Sequence, residues 1–226
     1  MPSEPIPVRF LFDFISPYAY LAWTQIHAIA EQTGAVIEPV PVLFAALLNT
    51  HGQKGPAEIA PKRVYLFKDI LRRAHRFGVP LASPPTHPFN PLLALRAASL
   101  PLPAPARRRL IDALFTAAWA GGAGVEGPEQ VAAAASEAGL DGAAIVRGAQ
   151  GAEAKERLRK QTDAALAIGA FGVPTMLVGK ELFWGADALP DVLDHLRGED
   201  VLQKPEGAAA LARWASLAAS ANRLRR

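Results

Sequence analysis

The chain contains no cysteine. It therefore holds no disulfide, offers no thiol nucleophile of its own and has no cysteine-ligated metal or iron–sulfur site. Disulfide exchange is excluded, and any sulfur chemistry must use a thiol brought in from outside. Charge of one sign is also scarce: 24 Lys and Arg stand against 21 Asp and Glu, a net +3. Part of that excess is Arg223, Arg225 and Arg226 at the C-terminus. The body is left near neutral, without the clustered basic face that phosphate backbones require, so nucleic acid is not expected as a ligand. No apolar run approaches the roughly 20 residues of a membrane span, and no membrane partner is expected. Met1 to Pro7 carries Glu4 and three prolines instead of the basic-then-apolar pattern of a signal peptide. The expectation is a cytoplasmic protein. The five histidines (His27, His51, His75, His87 and His195) are scattered, with no metal-ligand spacing, and no metal is expected.

Half of the 226 residues are apolar, enough to bury a sizeable core as one large domain or one domain with an insertion. Val8 to Phe14 (VRFLFDF) is β-branched and aromatic and reads as a buried strand. Ser16-Pro17 then signals a helix start, Ser suiting the N-cap and Pro the first turn. Leu21, Ala22, Ile26, Ile29 and Ala30 recur with helical period up to Gly34. Val36 to Val42 reads as a second strand, parallel to the first through a right-handed crossover.

The middle is helical, over Pro61 to Phe77, Ala106 to Ala120, Glu129 to Ala138, Gly142 to Gly148 and Ala152 to Ile168. Pro-rich connections, Leu81 to Pro91 and Leu100 to Pro105, separate them. Strand character returns at Thr175 to Val178 and, across a Gly179-Lys180 turn, at Leu182 to Trp184. Helices are expected over Ala186 to Leu196 and Ala208 to Arg223, the second carrying Leu211, Trp214 and Leu217 as a docking stripe. Sheet-forming segments at both ends with helices between give an α/β domain with an all-helical insertion. The boundaries expected are 1–44 with 169–200 for the sheet domain, 45–168 for the insertion and 201–226 for a C-terminal helical extension.

Three motifs carry the chemistry. Asp13-Phe14-Ile15-Ser16-Pro17-Tyr18 puts a hydroxyl where a strand hands over to a helix. Parallel α/β sheets bind ligands at that point, and helix N-termini favour anions there, although a plain cap has the same sequence. Gly172-Val173-Pro174-Thr175 sets a proline before a strand. A cis bond at Pro174 would explain it and would leave the Val173 backbone free to pair with an extended peptide, whereas a simple proline at a strand start would not. The third is Phe183-Trp184-Gly185-Ala186-Asp187. Of Phe183 and Trp184, only one can face each side of the sheet. A Gly-x-Ser-x-Gly elbow, which a serine hydrolase of the α/β type needs, is absent.

Together these motifs resemble the 2-hydroxychromene-2-carboxylate isomerases and kappa-class glutathione transferases, thioredoxin-like folds with a DsbA-like helical insertion. The resemblance extends through Gly52-Gln53-Lys54-Gly55-Pro56, Lys62 with Tyr65 and Asp69, and His87-Pro88-Phe89-Asn90-Pro91, and so covers roughly residues 8 to 197. It implies glutathione as cofactor and a small-molecule substrate. Ser16 matches the serine whose hydroxyl bonds the glutathione sulfur. Val173, before Pro174, matches the residue that pairs with its cysteinyl part. Ala186 and Asp187 match the helix start that holds the γ-glutamyl group. Lys62 matches a basic residue near the thiol and substrate end, and a solvated lysine on a helix face is the competing reading. Gln53 stands where relatives have asparagine, with Asn49 nearby to compensate; Ala188 and Leu189 follow Asp187 where relatives usually carry arginine. Tyr18, His87, Asn90 and Trp184 complete the expected substrate cleft. Dimers are common among relatives, and the apolar C-terminal helix is compatible with a homodimer.

An external thiol is mostly protonated at pH 7, since its pKa is about 8.5. A hydroxyl donor at a helix N-terminus could lower this by roughly two units, about 2.7 kcal/mol of preference for the thiolate. A thiolate held so could add to a conjugated enone, let the former double bond rotate, and leave, which is isomerisation by transient covalent catalysis. The expected activity is therefore a glutathione-dependent isomerase of a conjugated substrate. A kappa-like transferase and a non-catalytic thioredoxin-fold binding protein are the alternatives.

Overall fold

The computed structural model describes residues 4–216. Strand β1 (Pro7–Phe12), helix α1 (Pro17–Thr33) and strand β2 (Val36–Pro41) form a β-α-β unit, and β1 and β2 pair in parallel from Pro7 opposite Val36 to Phe12 opposite Pro41. The chain then runs through α2 (Phe44–Thr50), α3 (Ala60–Phe77), α4 (Leu92–Ala98), α5 (Ala104–Trp119), α6 (Pro128–Glu137), α7 (Gly142–Gln150) and α8 (Ala152–Ala167). It returns to the sheet as β3 (Thr175–Val178) and β4 (Glu181–Trp184), and ends in α9 (Leu189–Leu196) and α10 (Pro205–Ala215). The sheet order is β2-β1-β3-β4, with β3 antiparallel to both β1 and β4. This is the DsbA-like thioredoxin fold that the sequence motifs imply.

Phe10, Phe12 and Phe14 point from β1 and its end into one continuous core. There they meet Trp23 of α1 and Phe115 of α5, with Phe14 and Phe115 only 4.7 Å apart between ring centres. Each such ring withdrawn from water contributes roughly 1.5–3 kcal/mol. The helical block is thereby packed onto the sheet end that carries Ser16. Trp119, also fully buried, donates its indole N–H to the Phe14 carbonyl at 2.8 Å and so fixes the turn after β1.

Several boundaries differ from expectation for local reasons. Strand β1 stops at Phe12 because the Asp13 carboxylate accepts the Ile15 N–H at 3.0 Å, which turns the chain before Phe14. The short helices α2 and α4 were not expected. Each has seven residues, too few for a period to register. The expected helix from Ala186 is divided: a 3₁₀ turn covers Ala186–Ala188, and α9 begins at Leu189 with Pro190 in its first turn, where the missing N–H costs nothing. The last helix starts at Pro205, earlier than expected, and packs on the Val201–Gln203 turn. Its Leu211 and Trp214 are exposed, and the expected continuation through Leu217 to Arg223 lies outside the described residues. Among the described residues no helix is long and apolar enough to cross a membrane.

Candidate active site

A cleft of about 760 Å³ opens where β1 meets α1, walled by that junction, by α2 and α3, by the loop around His87 and by the residues before β3 and after β4. Its size is that of an ordinary small-molecule site. Ser16 lies in its wall. The residue caps α1, its Oγ accepting the Ala19 N–H at 3.1 Å, and the same hydroxyl reaches the Val173 carbonyl at 3.5 Å. That second contact is at the outer limit for O–H···O, so the hydroxyl proton is only loosely held and is available to a better acceptor. Ser16 is 8 % exposed, which leaves a small face toward the cleft.

Residues separated by some 157 positions are thus brought together at one point. The Val173–Pro174 peptide bond is cis, and among the described residues the Val173 N–H has no hydrogen-bond partner. Val173 forms part of the wall, and Pro174 is buried. Trp184 alternates with buried Phe183 on β4: it is 54 % exposed, faces the cleft and packs on Phe171 with ring centres 5.0 Å apart. The Trp184 indole also covers Gly172 so closely that a β-carbon there would collide with its Nε1. Gly172→Ala is therefore expected to push Trp184 off the wall and weaken ligand binding, while the melting temperature changes by only a few degrees. Tryptophan fluorescence during ligand titration reads both effects, and an unchanged spectrum and affinity would refute the close fit.

Gln53, Lys62, Tyr18, His87, Asn90, Ala186 and Asp187 also line the cleft. Asn49 does not. The face of α2 turned to the cleft carries Phe44, Ala45 and Leu48, and Asn49 follows one position beyond it, exposed. Lys62, in the first turn of α3, is exposed and makes no ion pair within 4.0 Å among the described residues. His87 brings Nε2 to 3.2 Å from the Ile15 carbonyl, while its Nδ1 is buried without a partner. Burial pulls its pKa down, against the smaller opposing pull of the Ile15 bond, and so favours the neutral ring. Behind His87 lies a smaller apolar hollow of about 310 Å³ between Phe67, Leu71, Pro84 and Trp119.

Two groups in this wall were not singled out for a role from the sequence. The Asp13 carboxylate is fully buried, accepting the Ile15 N–H through Oδ1 and the Phe44 N–H through Oδ2 at 2.9 Å. Burial raises its pKa to about 7, against the opposing pull of those two hydrogen bonds. It clamps the turn bearing Ser16 to the first residue of α2, which has no side-chain cap of its own. A charged residue closing an otherwise apolar run was the available signal. The second is the pair Asp69 and Arg73 on α3, which holds Tyr18 of α1. Tyr18 donates its hydroxyl to Asp69 at 2.8 Å, and Arg73 donates its Nε–H to the same oxygen at 2.7 Å. Burial opposes the charge of Asp69, yet the bonds from Arg73 and Tyr18 outweigh it and hold that carboxyl below its ordinary range. The tyrosine is pushed well above its usual value, by burial and then by the Asp69 bond. Tyr18 is therefore a hydrogen-bond donor and not a base.

The geometry has recognisable counterparts. Residues 7–197 match the family of the DSBA-like thioredoxin domain. The 2-hydroxychromene-2-carboxylate isomerase of Pseudomonas putida is 30 % identical over 185 residues, covering 80 % of this chain and 90 % of that protein. Glutathione S-transferase kappa 2 of Caenorhabditis elegans is 29 % identical over 213 residues, 87 % and 93 % of the two chains. A solved structure of a 2-hydroxychromene-2-carboxylate isomerase superposes with a TM-score of 0.77 at 26 % identity, covering 93 % of this chain and 96 % of the other. This chain belongs to the DSBA-like thioredoxin family, in the group that holds the 2-hydroxychromene-2-carboxylate isomerases and kappa-class glutathione transferases.

Proposed function

We propose that this protein is a glutathione-dependent isomerase of a conjugated, aromatic-derived substrate resembling 2-hydroxychromene-2-carboxylate. The observation that carries the reading is the Ser16 hydroxyl, set in the cleft wall at the head of α1 and held only weakly by the Val173 carbonyl, in a chain without a single cysteine. A serine there can donate to a sulfur anion without competing as a nucleophile. The cleft fits a tripeptide: the Val173 N–H and C=O offer an extended backbone a strand-like edge, and Asp187 lies farther along the same wall to take an ammonium. Bound in that manner, glutathione supplies a thiolate able to add reversibly to an enone.

The chain's own groups do the rest. Ser16 and the N-terminus of α1 stabilise the sulfur anion. Lys62, exposed on the facing helix, stabilises an oxyanion or a carboxylate of the substrate. Trp184, Phe171 and the proline-rich loop with His87 and Asn90 give a conjugated ring an apolar bed. The similarity to isomerases along nearly the whole chain supports the reaction class. The kappa-class relative supports a second reading, conjugation of a different electrophile at the same thiolate.

Calorimetry with glutathione, followed by incubation with 2-hydroxychromene-2-carboxylate, tests both. The expected result is saturable binding and isomerised product with the glutathione recovered unchanged. Stoichiometric loss of glutathione into a conjugate would favour the transferase, and failure of glutathione to bind would sink both in favour of a non-catalytic binding protein.

A further inference from the structure

Three arginines of the helical block, Arg96, Arg107 and Arg157, bury Nε with no hydrogen-bond partner among the described residues. Each is half-buried, and none makes an ion pair within 4.0 Å among the described residues. A guanidinium drawn partly out of water costs free energy unless an anion or a set of acceptors meets it.

The end of α4 brings two of the three to one place. Ser99, which closes that helix, sets its hydroxyl 3.5 Å from the Ala154 carbonyl in the first turn of α8. The next residue, Leu100, accepts an Nη2–H bond from Arg107 of α5 at 3.1 Å. Arg157 stands on the same side of α8 as Ala154, one turn further on, and helical side chains lean back toward the N-terminus. Its guanidinium is therefore directed toward the Ser99–Leu100 turn, where that of Arg107 already lies. Burial, and after it the charge of Arg157, pulls the pKa of Arg107 down, although an arginine keeps its proton in proteins. No acid of these helices offsets the two charges. Glu156 is taken by Arg159 and Lys160, and Glu153 forms no ion pair within 4.0 Å among the described residues. Helix α5 begins with neither a side-chain cap nor an acid in its first turn.

We propose that Arg107 and Arg157 form a clamp for a phosphate dianion, either the free ion or the phosphate of a small phosphomonoester. Two guanidiniums at one turn match its charge, and a planar fork gives parallel N–H bonds to two of its oxygens. Arg107 keeps its second Nη2 hydrogen and both Nη1 hydrogens for that purpose. A bound dianion joins α5 to α8 across the end of α4. Two cations make a point site, too small to follow a nucleic-acid backbone. Neither residue lines the Ser16 cleft, so the clamp does not depend on the glutathione reading.

The test is calorimetry and thermal unfolding of the whole chain with inorganic phosphate and, separately, glycerol 3-phosphate, chloride holding the ionic strength constant. Wild-type protein is expected to bind saturably, its melting temperature rising by roughly 3–6 °C at tenfold the dissociation constant. The Arg157 Nε has no partner to lose, so variants there should fold. Arg157→Gln is expected to weaken phosphate binding about 10- to 100-fold, the worth of a charge-assisted hydrogen-bonded pair. Arg157→Lys is expected to keep part of the affinity, because the charge stays while the fork is lost. Binding of phosphate alone identifies the free ion as ligand, and tighter binding of glycerol 3-phosphate identifies a phosphomonoester; both uphold the clamp. No saturable binding to the wild type, or equal binding to Arg157→Gln, overturns it.

Discussion

Ser16→Ala is expected to lower turnover at pH 7 by roughly 25-fold, the change in thiolate fraction when a thiol pKa moves from about 6.5 back to about 8.5. Stability should change far less. The alanine loses the side-chain cap of α1, where the Ala19 N–H now finds Oγ at 3.1 Å, and such a cap is worth about 1 kcal/mol. For a chain of this size that is a fall of roughly 2–4 °C in melting temperature. The two roles separate by pH. In the variant the rate should rise toward that of the wild type above about pH 8.5, where glutathione ionises unaided. Ultraviolet absorbance of the bound thiolate, titrated in both proteins, checks the shift directly. A rate loss no larger than the stability loss, with no change in the pH profile, would make Ser16 a cap and nothing more.

The second large effect is expected at Asp13. Asp13→Ala strips the half-buried Ile15 and Phe44 N–H groups of their acceptor. At about 1–3 kcal/mol for each unsatisfied group, the loss is roughly 2–6 kcal/mol. Activity should fall as well, because the clamp joins the Ser16 turn to α2, two walls of the cleft. Its pH dependence has a definite sign. The carboxyl has a pKa of about 7 in the folded chain and about 3.9 when unfolded, so between those values the folded form keeps a proton that the unfolded form has released. The contribution is complete below about pH 4 and declines as pH rises toward 7, by about 1.4 kcal/mol per unit. Urea denaturation at pH 5 and pH 7 should show wild-type protein losing this increment with rising pH. In Asp13→Asn that loss should vanish, at a lower overall stability. Identical pH slopes in the two proteins would show that Asp13 is ionised throughout.

Much of this site was legible because its signals are local. A serine followed by a proline after an aromatic strand marks a helix cap, and Ser16 is that cap. Alternation along a strand forces Phe183 and Trp184 to opposite faces, and the buried phenylalanine leaves tryptophan to the cleft. The readings that failed concern short or non-local features. Helices of seven residues carry no readable period, so α2, which places Asn49 one position beyond the lining Leu48, was not legible. Asp13 looked like one residue of a strand; its role depends on Phe44, 31 positions away. Nothing local sets Arg73 apart from Arg72 and Arg76 beside it, and only the packing of α3 beside α1 puts it over Tyr18.

The composition alone determined that this protein performs no thiol chemistry of its own, and the order of its strand and helix signals determined the fold class. Those conclusions rest on residue identity and on neighbours a few positions apart, which no packing can alter. Tertiary structure alone decided that Ser16 meets Val173 and that Asp13 holds two walls together. Each of those contacts joins segments whose separation in the chain carries no information about distance, and only the burial of the aromatic core and of the smaller apolar cluster around Val173 and Leu47 brings them within reach.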